Sequence, residues 1–249
     1  MTITPLRVAD CDGNWYNTVQ IGSQCWLKEN LRVKNYEYSG PQAMEDRTDN
    51  PAASTVDAYY WHVNCDANND SIYGLVYNWA AVMGGYSSSK TVPSGVQGIC
   101  PNGWHLPSDT EWTILEDYAK MQYQCYYNYY DWELNADLPD TGYAKALAAT
   151  ISWSWQNWDP IACKIAYDQS SNNASGFSAV AAGYAMNGTY QCNGPWFHYN
   201  AYFWTASQSD GAGNSDKAYA RTMSADGEKV YRMTKMGKAN GFSVRCIKN

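Results

Sequence analysis

Tyr202-Phe-Trp-Thr-Ala-Ser207, Ala218-Tyr-Ala-Arg-Thr-Met-Ser224, Asp226-Gly227, Lys229-Val-Tyr-Arg-Met-Thr-Lys235 and Gly241-Phe-Ser-Val-Arg-Cys-Ile247 succeed one another at the C-terminal end of the chain. They read as three or four consecutive strands, with an Asp-Gly hairpin turn between two of them. Their alternating positions mix aromatic, small and polar side chains, and no catalytic signature sits among them. Such a pattern suits a surface that touches a partner better than a site that performs chemistry.

Composition supports that reading. Across 249 residues the aromatics are 22 Tyr and 12 Trp against 4 Phe. Tyr and Trp combine an apolar body with a polar tip, so they suit half-exposed positions and binding faces. Charged residues make up only 16% of the chain, low for a cytosolic protein. A formal net charge of -7, with no basic run, argues against nucleic acid as a partner. No stretch is long and apolar enough to span a membrane.

The eight cysteines, Cys11, Cys25, Cys65, Cys100, Cys125, Cys163, Cys192 and Cys246, are spread singly. The absence of CxxC argues against a zinc ribbon or thioredoxin-type site. An even, dispersed set fits disulfides in an oxidising compartment; the alternative is buried free thiols in a cytosolic protein. Met1-Thr-Ile-Thr-Pro5 has neither a basic start nor an apolar run, so an extracellular destination implies a removed signal segment or another export route.

Residues 12–14 form a turn, residues 16–21 alternate as a strand, and Cys11 and Cys25 flank the resulting hairpin, close enough in sequence to pair locally. Residues 36–72 read as long polar loops. Residues 73–83 are a helix candidate, with Leu75, Trp79 and Val82 at helical spacing and Gly84-Gly85 ending it. Ser108 and Glu111 make a capping box that starts a second helix, with Trp112, Leu115, Tyr118 and Ala119 on one face, running to about Met121. Residues 122–142, dense in Tyr and Asp, look like an insertion. Residues 144–150 read as a short helical turn, and the strand-rich half begins at Gly176.

The order of motifs resembles the Fibrobacter succinogenes major paralogous domain family over residues 10–248. Asp12-Gly-Asn-Trp-Tyr-Asn-Thr-Val-Gln-Ile-Gly-Ser-Gln-Cys-Trp-Leu-Lys-Glu-Asn-Leu31 looks like its opening. Tyr73-Gly-Leu-Val-Tyr-Asn-Trp79, Ile99-Cys-Pro-Asn-Gly-Trp-His-Leu-Pro-Ser-Asp-Thr-Glu-Trp112, Gly176-Phe-Ser-Ala179, Tyr202-Phe-Trp-Thr-Ala-Ser207 and Gly241-Phe-Ser-Val-Arg-Cys246 come next, in the family's order. The resemblance implies a single α+β domain over residues 1–249 with a C-type-lectin-like fold: two helices flanking small antiparallel sheets, with the N- and C-termini close together. It implies that Cys100 and Cys246 are near each other and bonded. Cys65, Cys125, Cys163 and Cys192 keep all three of their connectivities open. Family members are secreted or surface proteins of bacteria. Related domains are the variable proteins of diversity-generating retroelements, with a changeable face on the C-terminal strands.

Alternation of period two divides the residues of the 218–235 hairpin, and those flanking it, into two sets. Ala218, Tyr219, Arg221, Met223, Val230, Arg232 and Gly241 match the family and are assigned to the scaffold. Ala220, Thr222, Ser224, Lys229, Tyr231, Met233, Thr234 and Met236 are the interleaved, exposed candidates for ligand binding. Tyr190, Phe197, Tyr199 and Asn200 are expected to form an adjoining aromatic wall. The alternative is an ordinary solvated sheet face, but clustered exposed Met and Tyr weigh against it.

Cys65-Asp-Ala-Asn-Asn-Asp-Ser-Ile-Tyr-Gly74 gathers oxygen ligands as calcium loops do, yet Asx residues are also the ordinary builders of loops. The sugar-binding triplets of calcium-dependent lectins are absent, and Trp158-Asp159-Pro160 does not replace them. His62, His105 and His198 lack metal-ligand spacing; His105 is expected to be packed and hydrogen-bonded, and His198 sits near the binding strands. No nucleophile elbow, phosphate loop or paired-carboxylate motif appears. These readings lead to a ligand-binding surface module that is not an enzyme. It needs no metal or other cofactor and recognises a protein or glycan on another cell or surface. The alternative is a structural cell-envelope domain without a specific ligand.

Overall fold

The computed structural model describes residues 7–38, 43–131, 133, 135–154 and 161–249. The Met1 start and Trp158-Asp159-Pro160 lie outside them. The chain is a mixed α+β protein with few helices and several small, mostly antiparallel sheets. It opens with β1 (Arg7–Ala9), β2 (Trp15–Ile21) and β3 (Gln24–Leu27) as a meander. Gly22 turns β2 into β3 at φ +57, and a Cβ there would lie 2.8 Å from the Tyr118 ring, so both conformation and space call for glycine.

Residues 36–72, expected as loops, contain β4 (Glu45–Asp46), β5 (Tyr59–His62) and the start of α1 (Asp70–Tyr73). The helix expected over residues 73–83 is corrected to a strand, β6 (Leu75–Tyr77), and a short helix, α2 (Trp79–Met83). Gly74 ends α1 at φ +71. Leu75, Val76 and Tyr77 are all buried and pair with His62, Trp61 and Tyr60. A strand buried on both faces has no alternation to distinguish it from a helix. Asn78 then caps α2, its side chain accepting from the Ala81 N–H, and Gly84 closes it at φ +54.

After β7 (Trp104–His105) comes α3 (Asp109–Gln122), whose capping box forms as expected between Ser108 and Glu111. The Tyr-rich segment is a hairpin of β8 (Cys125–Asp131) and β9 (Ala136–Gly142), and α4 (Ala144–Leu147) is the expected helical turn. The run from Gly176 makes only isolated bridges until β10 (Ala185–Met186) and β11 (Thr189–Tyr190). The C-terminal strands are β12 (Asn200–Gln208), β13 (Lys217–Ser224), β14 (Tyr231–Gly237) and β15 (Ile247–Lys248). Asp226-Gly227 lies in the β13–β14 connection, and residues 241–243 contribute bridges rather than a strand.

Two sheets organise the molecule. The first has the order β1-β2-β3-β15-β7, with Ile247 opposite both Trp26 and His105, so both ends of the described chain lie in one sheet. The second has the order β12-β13-β14. Trp26, Trp112, Phe177 and Phe203 interlock between α3 and this second sheet at centroid distances of 5.1 to 6.2 Å. On the sheet's other side Trp204 packs 4.3 Å from Phe242, and its indole N–H donates to the Tyr77 carbonyl at 2.7 Å.

Cys100 and Cys246 are bonded, as the resemblance implied, and the others pair as Cys65–Cys192 and Cys125–Cys163. The local Cys11–Cys25 pairing that the sequence allowed does not form: both are free. The hairpin register places Gln20 opposite Cys25, while Cys11 sits in the preceding turn and donates to the Asn35 carbonyl.

Candidate functional site

The C-terminal sheet has one locked face and one open face, and charge pairing fixes which is which. Cross-strand register aligns Phe203, Arg221 and Arg232 in one row. Fully buried Arg221 reaches α3, where it pairs with Asp109 at 2.7 Å and with Glu116, and also bonds the Asp109 carbonyl and Thr113. Arg232 grips both oxygens of the same Asp109 carboxylate. Burial alone would raise the Asp109 pKa; the hydrogen bonds from Arg232 and Arg221 outweigh it and hold the carboxyl below its usual range. One carboxylate in the first turn of α3 thereby clamps β13 and β14 together.

The next rows point the other way. Trp204, Ala220 and Met233 align, and beside them Tyr202, Thr222 and Tyr231. Trp204, Ala218 and Ala220 are buried, whereas Tyr202, Thr222, Met233 and Met236 are half-buried and Tyr231 is 50% exposed. Two residues from the preceding segment extend this face. Tyr184 packs 4.8 Å from Tyr202, and Trp196, 40% exposed, lies 6.0 Å from Tyr184. Tyr202 in turn stacks on buried Phe242 at 4.9 Å. The outcome is a line of rings, Trp196, Tyr184 and Tyr202, that continues across Thr222 to Tyr231.

The sequence-predicted residues divide unevenly over this geometry. The parity split holds in part: Tyr219, Arg221, Met223 and Arg232 fall on the inward rows and Thr222, Tyr231 and Met233 on the outward ones. Met236 joins the outward side through a register shift, and Ala218, assigned to the scaffold, is corrected to the outward row opposite it. Ala220 is outward but buried, because the neighbouring core covers a methyl-sized side chain. Ser224 is half-buried at the strand end, and Thr234 is exposed. The expected aromatic wall is corrected. Tyr190 is 4% exposed in a separate cluster with Tyr59 and Trp61, its hydroxyl donating to the Ala182 carbonyl. Phe197 packs there against Tyr73 and His198. Tyr199 packs against the inward cluster, and Asn200 is buried. The wall is built instead by Tyr184, Trp196 and Tyr202. Tyr202 escapes a reading by motif because it stands in a family motif itself; only its parity with Trp204 signals its direction.

Lys229 is tied to Asp140 of the Tyr-rich hairpin at 2.6 Å. The Tyr143 and Ala144 N–H groups both donate to the Glu228 carbonyl, and Cys125–Cys163 anchors the hairpin's base. The insertion therefore stands beside the β13–β14 turn, with Tyr126 75% exposed.

His105 is packed between Glu111 and Asn249, while His198 is bonded to Tyr73 and turned away from the open face into the separate cluster. In the Asx-rich loop, Asp66 caps a short turn by accepting from the Asn68 N–H, and Asp70 binds His62. Among the described residues no group of three or more His, Cys, Asp and Glu is arranged to hold a metal ion, and no helix is long and apolar enough to cross a membrane.

Fold and site together define a disulfide-bonded α+β protein with an aromatic outer face on its C-terminal sheet. The chain belongs to the Fibrobacter succinogenes major domain family, whose model matches residues 19–248. No curated protein and no solved structure matches it.

Proposed function

We propose that this protein is an extracellular or surface-displayed, C-type-lectin-like binding module. It presents the outer face of the β12-β13-β14 sheet to a macromolecular ligand, a protein or a glycan, and performs no catalysis. The observation that carries the reading is the pairing of a locked inner face with an outer one where Tyr231 and Trp196 stay exposed and Tyr184, Tyr202 and Met233 half-exposed. Clustered apolar groups on a surface usually mark an interaction site. Tyr and Trp give large contact area with little rotamer entropy to lose. Three disulfides support the extracellular setting.

Display of changeable residues on these strands is the arrangement of diversity-generating retroelement variable proteins, and we propose that kinship too. A reverse transcriptase gene nearby, with a near-copy of the 3' coding segment differing at adenines, would establish it; an isolated gene would remove it. The binding reading is tested by capture from bacterial surface extracts and on a glycan array, with Tyr231→Ala, Tyr202→Ala and Met233→Ala in folded protein. Interface energy concentrates in a few anchors, so at least two of the three should lose about 1–2 kcal/mol or more. Undiminished binding in the triple variant would move the site to the Tyr-rich hairpin. Absence of any ligand would favour the structural envelope role.

A further inference from the structure

We propose that the outer face takes a neutral glycan, its pyranose rings lying against the line Trp196, Tyr184, Tyr202 and Tyr231. The proposal rests on the reading of this sheet as the binding face and commits that face to one ligand chemistry. A pyranose ring presents C–H groups on its faces and hydroxyls around its rim. It needs aromatic surface for the first and uncharged donors and acceptors for the second. Tyr184 lies 6.0 Å from Trp196 and 4.8 Å from Tyr202. Register then sets Tyr231 two strands from Tyr202, about 10 Å away at ordinary strand spacing. The result is an extended track rather than a single pocket.

Three features favour a neutral sugar over a protein epitope or an acidic saccharide. First, the track and its flank, Trp196, Tyr184, Tyr202, Thr222, Tyr231 and Met233, carry no charge. Of the cations in and beside this sheet, Arg221 and Arg232 are paired with α3, Lys217 with Asp216 and Lys229 with Asp140, while Lys235 of β14 is exposed outside the track. A typical protein surface brings charged groups, and desolvating them against this face leaves them unpaired. Second, none of these six track and flank side chains is a cation that could receive a carboxylate or sulfate. Third, the Thr222 Oγ1, between Tyr202 and Tyr231 in the register, is covered and lacks a hydrogen-bond partner. A sugar hydroxyl satisfies that unmet group once the side chains covering it part to admit the sugar between the two rings. Burial first, and Tyr202 beside it, push the Tyr184 phenol up, so it remains an O–H donor at neutral pH.

The test titrates the whole chain with neutral hexasaccharides of glucose, xylose, mannose and N-acetylglucosamine. Polygalacturonate and heparin serve as acidic probes, and tryptophan fluorescence and calorimetry are the readouts. At least one neutral hexasaccharide is expected to bind, with affinity changing less than about twofold between about 0.05 and 0.5 M salt, and EDTA without effect. Trp196→Ala and Tyr231→Ala should each weaken it about tenfold or more. Thr222→Val, which keeps the shape and removes the hydroxyl, should weaken it by about three- to tenfold. Tyr126→Ala, on the hairpin beside the face, should leave it unchanged, and circular dichroism melts confirm that each variant folds. Binding of the acidic probes alone, failure of every neutral hexasaccharide, or neutral binding indifferent to Trp196 and Tyr231 would overturn the proposal. If a surface protein is captured instead and its capture needs Trp196 and Tyr231, the ligand class falls but the face stands. If all binding survives these variants and Tyr126→Ala abolishes it, the face itself falls.

Discussion

Trp204 and Tyr231 point to the same side of one sheet and meet opposite fates. Trp204 is fully buried against Phe242 with its N–H satisfied, while Tyr231 stands half in solvent. Trp204→Ala should cost about 3–5 kcal/mol in a denaturant titration, the range for deleting a buried large aromatic. Tyr231→Ala should cost less than about 1 kcal/mol, as exposed changes do. Equal losses would mean that the two ends of this face are misjudged. His62 makes a residue-scale prediction of another kind. Its Nδ1 lies 2.7 Å from Asp70 and its Nε2 3.2 Å from Asp46, and a neutral imidazole has only one N–H to offer. The hydrogen bond with Asp70 raises the His62 pKa; burial and Lys34 oppose this, and Asp46 adds to it. A raised folded pKa stabilises fully below the unfolded value of about 6.5 and loses that contribution as pH rises through the folded pKa. The melting temperature of His62→Gln should therefore lie furthest below wild type near pH 6, the gap narrowing toward pH 9. A constant gap would remove the protonated bridge between Asp46 and Asp70.

At the scale of elements, the grip of α3 on the C-terminal hairpin is the critical contact. Arg221→Met leaves Glu116 without its arginine partner and weakens the hold on Asp109 in a buried place, and breaking such a pair costs about 3–5 kcal/mol. A loss under about 1 kcal/mol on urea unfolding would show that the clamp is solvated. Legibility in the sequence tracks the range of the physics involved. The Ser108–Glu111 capping box spans four residues and was legible, as was the inward–outward division of β13 and β14 from Ala220 to Met233, which needs only period two; the register shift that turns Ala218 and Met236 outward together was not. Leu75 to Tyr77 misled because both faces of that strand are buried, so its apolar run fits helix and strand alike. The ring line was illegible for a different reason. Trp196 and Tyr184 reach Tyr202 by the placement of a loop segment, and Tyr190, only a few residues away, turns into a separate core. Ala220 illustrates the same limit: its direction was readable, but its burial depends on what another element lays over it.

At the scale of the whole molecule, the three bridges connect parts far apart in sequence. Cys100–Cys246 joins the segment before β7 to the residue before β15 across a separation of 146, Cys65–Cys192 spans 127, and Cys125–Cys163 spans 38 at the foot of the Tyr-rich hairpin. Constraint of the unfolded chain grows with loop length, so replacing Cys100 and Cys246 together by Ser should cost about 4–5 kcal/mol. Replacing Cys125 and Cys163 should cost less, about 3–4 kcal/mol. The oxidation state itself is open to direct measurement. Intact mass of the unreduced protein should fall about 6 Da below the fully reduced mass, and alkylation under denaturing conditions should label only Cys11 and Cys25. Cys11 is exposed, but burial and the nearby carboxylates of Asp12, Glu37 and Asp10 push its thiol up to about 11, so under native conditions it should alkylate slowly at neutral pH. Eight labelled cysteines in protein made under oxidising conditions would remove the bridges, and with them the main physical argument that this chain works outside the cell.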